Sequence, residues 1–218
     1  MNVRLIALTQ PSDVLVKEGI TTAEQLIVYA ARVSNPSNKT NTGTGPRLLR
    51  YCIRYGHWSV FETASMTIEV VTSRAIAAQL LRHRSFTFQE HSQRYAESVN
   101  YEDVELRTQD TKNRQGSGSV YADEYDRDMV QGVIEDAFLA YKTLLRKGVS
   151  RETARMVLPL CTQTTLYMTG NVRSWIHYLE QRTSDGTQKE HREIATMAWN
   201  EITKIFPSLT DVLQQDTK

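Results

Sequence analysis

Within one short stretch, the spacing of apolar residues changes from that of a strand to that of a helix. This change constrains the possible folds of the chain more than any other feature of its sequence. From Ala64 to Val70 apolar and polar residues alternate, as in a strand with one buried face. The next residues, 72–84 (TSRAIAAQLLRHR), repeat their apolar positions at helical spacing. The chain is therefore predicted to pass from a half-buried strand directly into a helix.

Further elements follow from local signals. Strands are predicted at VRLIALTQ before Pro11, at VELRT and at TQTTLYM, which are rich in apolar, β-branched or aromatic residues. Helices are predicted at 21–34, 121–147, 150–159, 171–182 and 189–206. Thr21 and Glu24 have capping-box spacing at the start of the first helix, and Gly148 should stop the long one. The segment SNPSNKTNTGTGP reads as a loop, and no repeat or linker divides the chain, so one domain spanning 1–218 is expected.

Charge and cysteine content narrow the class of protein. Lysine and arginine number 26 against 25 acidic residues, so no global field favours nucleic acid or an anionic membrane. Cys52 and Cys161 cannot form a disulfide framework and lack the CxxC spacing of zinc or redox sites. The first apolar run is too short for a signal peptide, and no stretch reaches the roughly 20 apolar residues of a membrane span. A cytoplasmic protein with no nucleic-acid or membrane partner is therefore expected.

Cationic and carboxamide side chains concentrate in the segment LLRHRSFTFQEHSQRY. On a continuous helix, Gln79, Arg82 and His83 would share one face. In an extended segment, Glu90, Ser92 and Arg94 would point the same way, so that helix end and strand could converge on one ligand. Arginine guanidinium groups next to a carboxylate that accepts hydrogen bonds are better suited to bind a nucleotide than to bind a simple anion.

Other interpretations of this segment stay open on spacing alone. Arg82 and Arg84 could merely cap a helix C-terminus, where cations are favoured, with His83 at the surface. His83 and His91 match no familiar zinc spacing, which argues against a metal site. The patch could also serve a small nucleic-acid-binding module, with bases stacking on Phe86, Phe88 and Tyr95.

The run Arg82-His83-Arg84, seven residues, then Ser92 resembles the RHRX7S signature of flavin-dependent thymidylate synthases, and SQRY continues the likeness. Further segments resemble the family in family order: AARVSN at 30–35, GHWSVFE at 56–62, ARMVLPL at 154–160, NVRS at 171–174 and LEQRTSDGTQKE at 179–190. The resemblance covers the chain from about residue 30 to residue 190.

The resemblance implies a mixed α+β domain with a mixed, largely antiparallel sheet flanked by helices, assembled as a homotetramer whose active sites are shared between chains. It implies bound FAD and synthesis of dTMP from dUMP, with 5,10-methylenetetrahydrofolate as carbon donor and NADPH as reductant. A flavoprotein that has lost this activity and serves as a redox or structural oligomer is the remaining alternative. No metal is expected.

Site residues carried over from the family motifs fall into two sets. The dUMP set is Gln79, Leu80, Leu81, Arg82, Glu90, Ser92, Gln93, Arg94, Arg155 and Arg182. The FAD set is His57, Ser59, Arg82, His83, Arg84, Glu90, Asn171, Arg173 and His177. His177 stands where the family often has Asn or His, and residues 183–187 match the family less closely than their neighbours.

Arg182 matches the family arginine that lies against the uracil ring. A guanidinium there would stabilise negative charge as N3 ionises, which raises the nucleophilicity of C5. Asn171 and Arg182 are eleven residues apart, about three helical turns, so they should share a helix face with Ser174 and Tyr178. This route needs no cysteine nucleophile. Cys161 is therefore expected to pack as a small hydrophobe, and Ser92 is assigned to nucleotide binding.

Overall fold

The computed structural model of this chain describes residues 1–210. The chain forms two compact units, each assembled from separate segments. Unit 1 comprises Met1, 71–82 and 89–166, and unit 2 comprises 2–70, 83–88 and the chain from Tyr167 onward. That the whole chain is a single domain stays a prediction.

Within residues 1–210, six strands and eight α-helices make up the mixed α/β fold. The strands are β1 (Asn2–Leu8), β2 (Ser65–Ser73), β3 (Thr87–Glu90), β4 (Arg107–Gln109), β5 (Ser117–Val120) and β6 (Gln163–Asn171). The helices are α1 (Asp13–Lys17), α2 (Ala23–Ala31), α3 (Gly45–Arg54), α4 (Arg74–Leu80), α5 (Glu124–Arg146), α6 (Arg151–Ala154), α7 (Val172–Arg182) and α8 (Lys189–Ile205). Short 3-10 turns lie at Pro36–Asn38, Trp58–Glu62, Arg155–Val157 and Pro207–Leu209.

The main sheet has the strand order β1-β2-β6-β3, and β4 and β5 form a separate antiparallel pair. Opposed numbering shows that β2 and β6 are antiparallel. The Val172 amide donates to the Ala64 carbonyl, and the Thr67 and Thr169 hydroxyls are 2.8 Å apart. The same opposed order appears for β1 with β2 and for β3 with β6, in the pairs Thr9–Ser65, Arg4–Glu69, His91–Thr165 and Phe86–Gly170. The predicted antiparallel sheet is confirmed.

Helix α7 supplies much of the core of unit 2. It buries Trp175, Ile176 and Leu179, each at most 1% exposed. The Trp175 indole N–H donates to the Met66 carbonyl at 3.4 Å, so this large ring is buried without losing its hydrogen bond. Its N-terminus is capped by Asn171, whose side-chain oxygen accepts from the Ser174 amide. Capping and apolar burial together explain why the predicted helix forms where it does.

Several other sequence predictions are confirmed, including the strands at 3–10 and 162–168 and the last helix. Helix α5 ends at Arg146, and Gly148 follows with a φ of 85°, a conformation that favours glycine. Ser150 precedes α6, as predicted. Within residues 1–210, no helix combines the length and apolar character needed to cross a membrane.

Four local predictions are wrong. The capping box of α2 uses Thr22 and Gln25, one residue later than predicted. Residues 45 and 46 were predicted to lie in a loop and no helix was predicted after them, whereas α3 begins at Gly45, and Pro46 in its first turn suits a helix start. Helix α4 ends at Leu80, so Arg82 and His83 do not continue its face. Strand β3 ends at Glu90 and a turn follows, so the predicted extended alternation of Glu90, Ser92 and Arg94 does not occur.

Candidate functional site

The beginning of α4 in unit 1 holds the carboxylate of Glu90. The Arg74 amide donates to the Thr162 carbonyl at 2.9 Å, which ties the helix start to the residue before β6. Arg74 Nη1 lies 2.8 Å from Glu90 Oε1, and the Thr164 hydroxyl donates to the same oxygen at 3.0 Å. Because Thr164 is buried and Glu90 is the last residue of β3, three elements fix this one carboxylate.

Ser92 and Arg94 line a cleft in the same unit. Its volume is about 510 Å³, and its walls are Ser92, Arg94, Tyr95, Ser150, Arg151 and Glu152. Arg94 Nη2 lies 3.1 Å from Glu152 Oε2, and both side chains are more than half exposed. Such an exposed ion pair contributes little to stability, so Arg94 can exchange this partner for an anionic ligand at small cost.

Gln93 and Leu80 are directed into the interior rather than toward solvent. Gln93 is buried, and its side-chain nitrogen donates to the Ser98 hydroxyl at 3.0 Å. The Ser98 amide in turn donates to the Tyr141 hydroxyl. Leu80 is fully buried, so only its backbone is available to a ligand. Leu81 is exposed, and Gln79 is partly buried in the last turn of α4.

In unit 2, Arg182 meets the histidine of the RHR motif. Arg182 Nε donates to His83 Nε2 at 3.0 Å. This acceptor role requires the neutral imidazole to carry its proton on Nδ1. One edge of the guanidinium is thereby held, and its two terminal NH2 groups can point elsewhere. The bond joins residues 99 positions apart in the chain.

Aromatic rings surround this histidine. The Tyr178 ring stands edge-on to His83 at a centroid distance of 5.0 Å, and Phe86 does so at 6.5 Å. His191 is fully buried 6.1 Å from His83. Burial, then the nearby Arg182 and His83, lowers the pKa of His191 to about 3, so this ring is neutral near pH 7.

The Tyr178 hydroxyl is buried in the same cluster without a hydrogen-bond partner among the described residues. Burial raises the pKa of this phenol, an effect that the positive charge of Arg182 partly opposes. A buried polar atom that lacks a partner is unusual and costly.

Polar and aromatic side chains at the start and middle of α7 form a second group in unit 2. Arg173 forms an ion pair with Glu62, and His177 lies 4.5 Å from the Trp58 ring by centroids. His57 and Ser59 are exposed on either side of Trp58. The NVR segment and the GHWSVFE segment, distant in sequence, therefore lie in contact.

The predicted residues divide between the two units largely by ligand. Every dUMP candidate except Arg182 belongs to unit 1, and every FAD candidate except Arg82 and Glu90 belongs to unit 2. Arg82 and Arg84 are exposed, and within residues 1–210 their side chains make no hydrogen bond or ion pair. Arg155 donates from Nε to the Glu152 carbonyl at 3.3 Å.

Sequence motifs did not point to Arg74, Thr164 or His191. Arg74 follows a serine N-cap and looks like a solvated first-turn residue, and Thr164 looks like an ordinary strand residue. A charged residue directly after a strand that carries a buried face is the only signal that could have drawn attention to Arg74. Between residues 1 and 210, no cluster of three or more His, Cys, Asp or Glu side chains could hold a metal ion.

The chain is similar in sequence to known proteins. Residues 15–208 match the family model described as thymidylate synthase complementing protein. The chain is 49% identical to a probable flavin-dependent thymidylate synthase of Paramecium bursaria Chlorella virus 1, over 98% of this chain and 99% of that protein. It is 47% identical to the flavin-dependent thymidylate synthase of Synechocystis, over 98% of this chain and 100% of that protein.

A solved structure is also similar. The UMP/dUMP methylase PolB from Streptomyces cacaoi, bound with 5-Br dUMP, superimposes with a TM-score of 0.75 at 27% identity. The match covers 96% of this chain and 94% of that one. With the family model and two near full-length relatives in agreement, this chain belongs to the flavin-dependent thymidylate synthases, which are methyltransferase enzymes.

Proposed function

We propose that the protein converts dUMP to dTMP, with 5,10-methylenetetrahydrofolate as carbon donor and NADPH as reductant, through bound FAD. The observation that carries the proposal is the hydrogen bond from Arg182 to His83. It joins the arginine proposed to activate the pyrimidine to the RHR motif proposed to contact the flavin. The proposed nucleotide-activating group thus contacts the histidine of the proposed flavin-binding motif, and both side chains belong to unit 2.

The donor set of this chain fits FAD. Arg82 and Arg84 are exposed cations with no partner within residues 1–210, as the binding of a diphosphate requires. Trp58 and His177 offer ring faces, and the Asn171 carboxamide and Ser59 hydroxyl offer hydrogen bonds. The remaining proposed FAD contacts are His57, His83, Glu90 and Arg173. When bound, FAD supplies hydride transfer and carriage of the one-carbon unit.

The nucleotide is proposed to bind through the residues carried over from the family's dUMP motifs. Arg82, Arg94 and Arg155 would neutralise the phosphate, and Ser92 would donate to it. Gln79, Leu80, Leu81, Glu90 and Gln93 complete the proposed set, with Leu80 limited to its backbone by burial. Arg94 would exchange Glu152 for the phosphate, since both members of that pair are exposed.

Arg182 is proposed to activate the pyrimidine. Because His83 holds Nε, the two terminal nitrogens can present a fork of N–H donors to N3 and a carbonyl oxygen of uracil. Negative charge that develops there as N3 ionises would be stabilised by the fixed cation, which increases electron density at C5. No thiolate is needed, and burial raises the pKa of Cys161, which keeps that thiol protonated.

Substitution of Arg182 tests this role. Arg182→Ala should lower kcat by about 10²-fold to 10³-fold, the loss typical of one oriented charge-stabilising donor. Arg192→Ala is the matched control, because Arg192 is an arginine of unit 2 paired with Asp185 and has no role in the proposed site. The measurement is dTMP formed per flavin. A kcat for Arg182→Ala equal to that of the control would exclude the proposed activation.

A homotetramer with active sites shared between chains is also proposed. Tyr125, Met129 and Val133 repeat every four residues on α5 and are each more than half exposed. Such an exposed apolar row indicates a surface covered by another chain. Light scattering at several protein concentrations tests this assembly, and a monomer at all concentrations would refute it.

A further inference from the structure

The contacts of Glu90 are unequal between its two oxygens. Arg74 Nη1 at 2.8 Å and the Thr164 hydroxyl at 3.0 Å both donate to Oε1. Within residues 1–210, no hydrogen bond to Oε2 is found. Two donors on one oxygen fix the rotation of the carboxylate and leave both lone pairs of the other oxygen for a further donor.

The ion pair with Arg74 also neutralises the negative charge of the Glu90 carboxylate. The Glu90 side chain is 19% exposed and that of Arg74 is 31% exposed, so the pair is partly shielded from solvent. A lone carboxylate would repel a nucleotide phosphate, whereas the pair has no net charge. Glu90 can therefore accept a hydrogen bond from an anionic ligand without opposing its binding.

The chemistry of dUMP identifies the donor that Glu90 can accept. Apart from its phosphate, this nucleotide has two donors, the uracil N3–H and the 3′-hydroxyl. A carboxylate beside N3 would oppose the negative charge that Arg182 is proposed to stabilise there. The 3′-hydroxyl of the deoxyribose is left as the partner that is compatible with the proposed chemistry.

On these grounds we infer that Arg74 and Thr164 are positioning residues, which fix Glu90 through Oε1 so that Oε2 accepts the nucleotide 3′-hydroxyl. The inference rests on the proposed function, because it takes dUMP as the ligand. Neither residue touches the nucleotide. Each acts through Glu90, so its loss should affect recognition of the ribose more than the chemical step.

The test compares two nucleotides on FAD-loaded protein by calorimetry. Wild-type protein should bind dUMP about tenfold more tightly than 2′,3′-dideoxyuridine monophosphate, the effect of one hydrogen bond to a charged group. Thr164→Val keeps the side-chain shape but removes the hydroxyl, and should largely abolish this preference. Thr164→Ser restores the donor and should restore it. Arg74→Met should act like Thr164→Val, and Arg74→Lys should recover part of the preference.

Thr169→Val is the matched control. Thr169 lies on the same strand and bonds the Thr67 hydroxyl, so the variant loses a comparable bond without affecting Glu90. It should retain the wild-type preference. If Thr164→Val still prefers dUMP as strongly as wild type does, the inference is wrong. A wild-type protein that makes no dTMP would instead refute the proposed function, a separate result read from the turnover assay.

Discussion

Replacement of Gly170 by alanine should destabilise unit 2 by steric conflict alone. A Cβ on Gly170 would stand 2.5 Å from Phe86 Cδ1 and 2.6 Å from Cε1, closer than van der Waals contact allows. Phe86 cannot move freely, because it is buried and its ring packs edge-on to Trp175 at 4.7 Å. The backbone of Gly170 has no positive φ, so the conflict comes from the neighbouring ring and not from backbone strain.

The expected size of the effect combines two opposing terms. Overpacking of a buried site costs about 1–3 kcal/mol. Replacing glycine also reduces the conformational freedom of the unfolded chain, which stabilises the folded state by about 0.4–1 kcal/mol. The net loss should be about 1–2 kcal/mol, which for a chain of this length lowers Tm by roughly 2–8 °C.

Thermal unfolding followed by circular dichroism at one fixed protein concentration measures this loss. Gly132→Ala is the control, because a Cβ there meets nothing within 4 Å inside α5. Alanine should raise stability at that position by about 0.5–1 kcal/mol. If Gly170→Ala unfolds at or above the wild-type temperature while Gly132→Ala gains stability, the close contact with Phe86 is wrong.

Three further predictions concern ionisation and thiol chemistry. Arg4 lowers the pKa of Glu69. Wild type should therefore have a higher Tm than Arg4→Met above about pH 4.3, and this difference in Tm should disappear as the pH falls through the lowered pKa of Glu69. His191 has a folded pKa of about 3, so its protonation in the unfolded state should reduce wild-type stability between about pH 6.5 and pH 3. His191→Gln should lose less stability across that range in pH-dependent unfolding, and an unchanged slope would contradict the burial argument. Cys161→Ala should keep dTMP formation within about twofold of wild type, because the proposed route needs no thiolate to attack the pyrimidine, and loss of turnover in a folded variant would count against the flavin route.

The sequence predicted elements best where the signal was local and repeated. Helix α5 ends where Gly148 allows, and the alternation of Ala64 to Val70 belongs to β2. Helix α3 was missed because the glycines and Pro46 before its apolar positions resemble a loop, although proline in a first turn is equally compatible with a helix. Composition alone does not distinguish a loop that contains glycine and proline from the first turn of a helix.

Around the RHR motif, packing between residues that are distant in sequence determines the structure more than the local helical periodicity does. The periodicity of 72–84 continues through His83, yet the helix stops at Leu80 and Phe86 packs on Trp175. That contact joins residues 89 positions apart, so no local window contains it. The bond from Arg182 to His83 likewise depends on the fold, and the resemblance to the family supplied the two residues but not their pairing.

Dependence of dTMP formation on each reactant is the most direct test of the proposed function. Purified protein would be incubated with FAD, NADPH, 5,10-methylenetetrahydrofolate and dUMP, and dTMP would be quantified by chromatography. The proposed function predicts dTMP from the complete mixture, no dTMP when NADPH, 5,10-methylenetetrahydrofolate or dUMP is omitted or when FAD is withheld from flavin-free protein, and, without oxygen, NADPH consumption equal to product. A protein that takes up no FAD, or that forms no dTMP from the complete mixture, would contradict it.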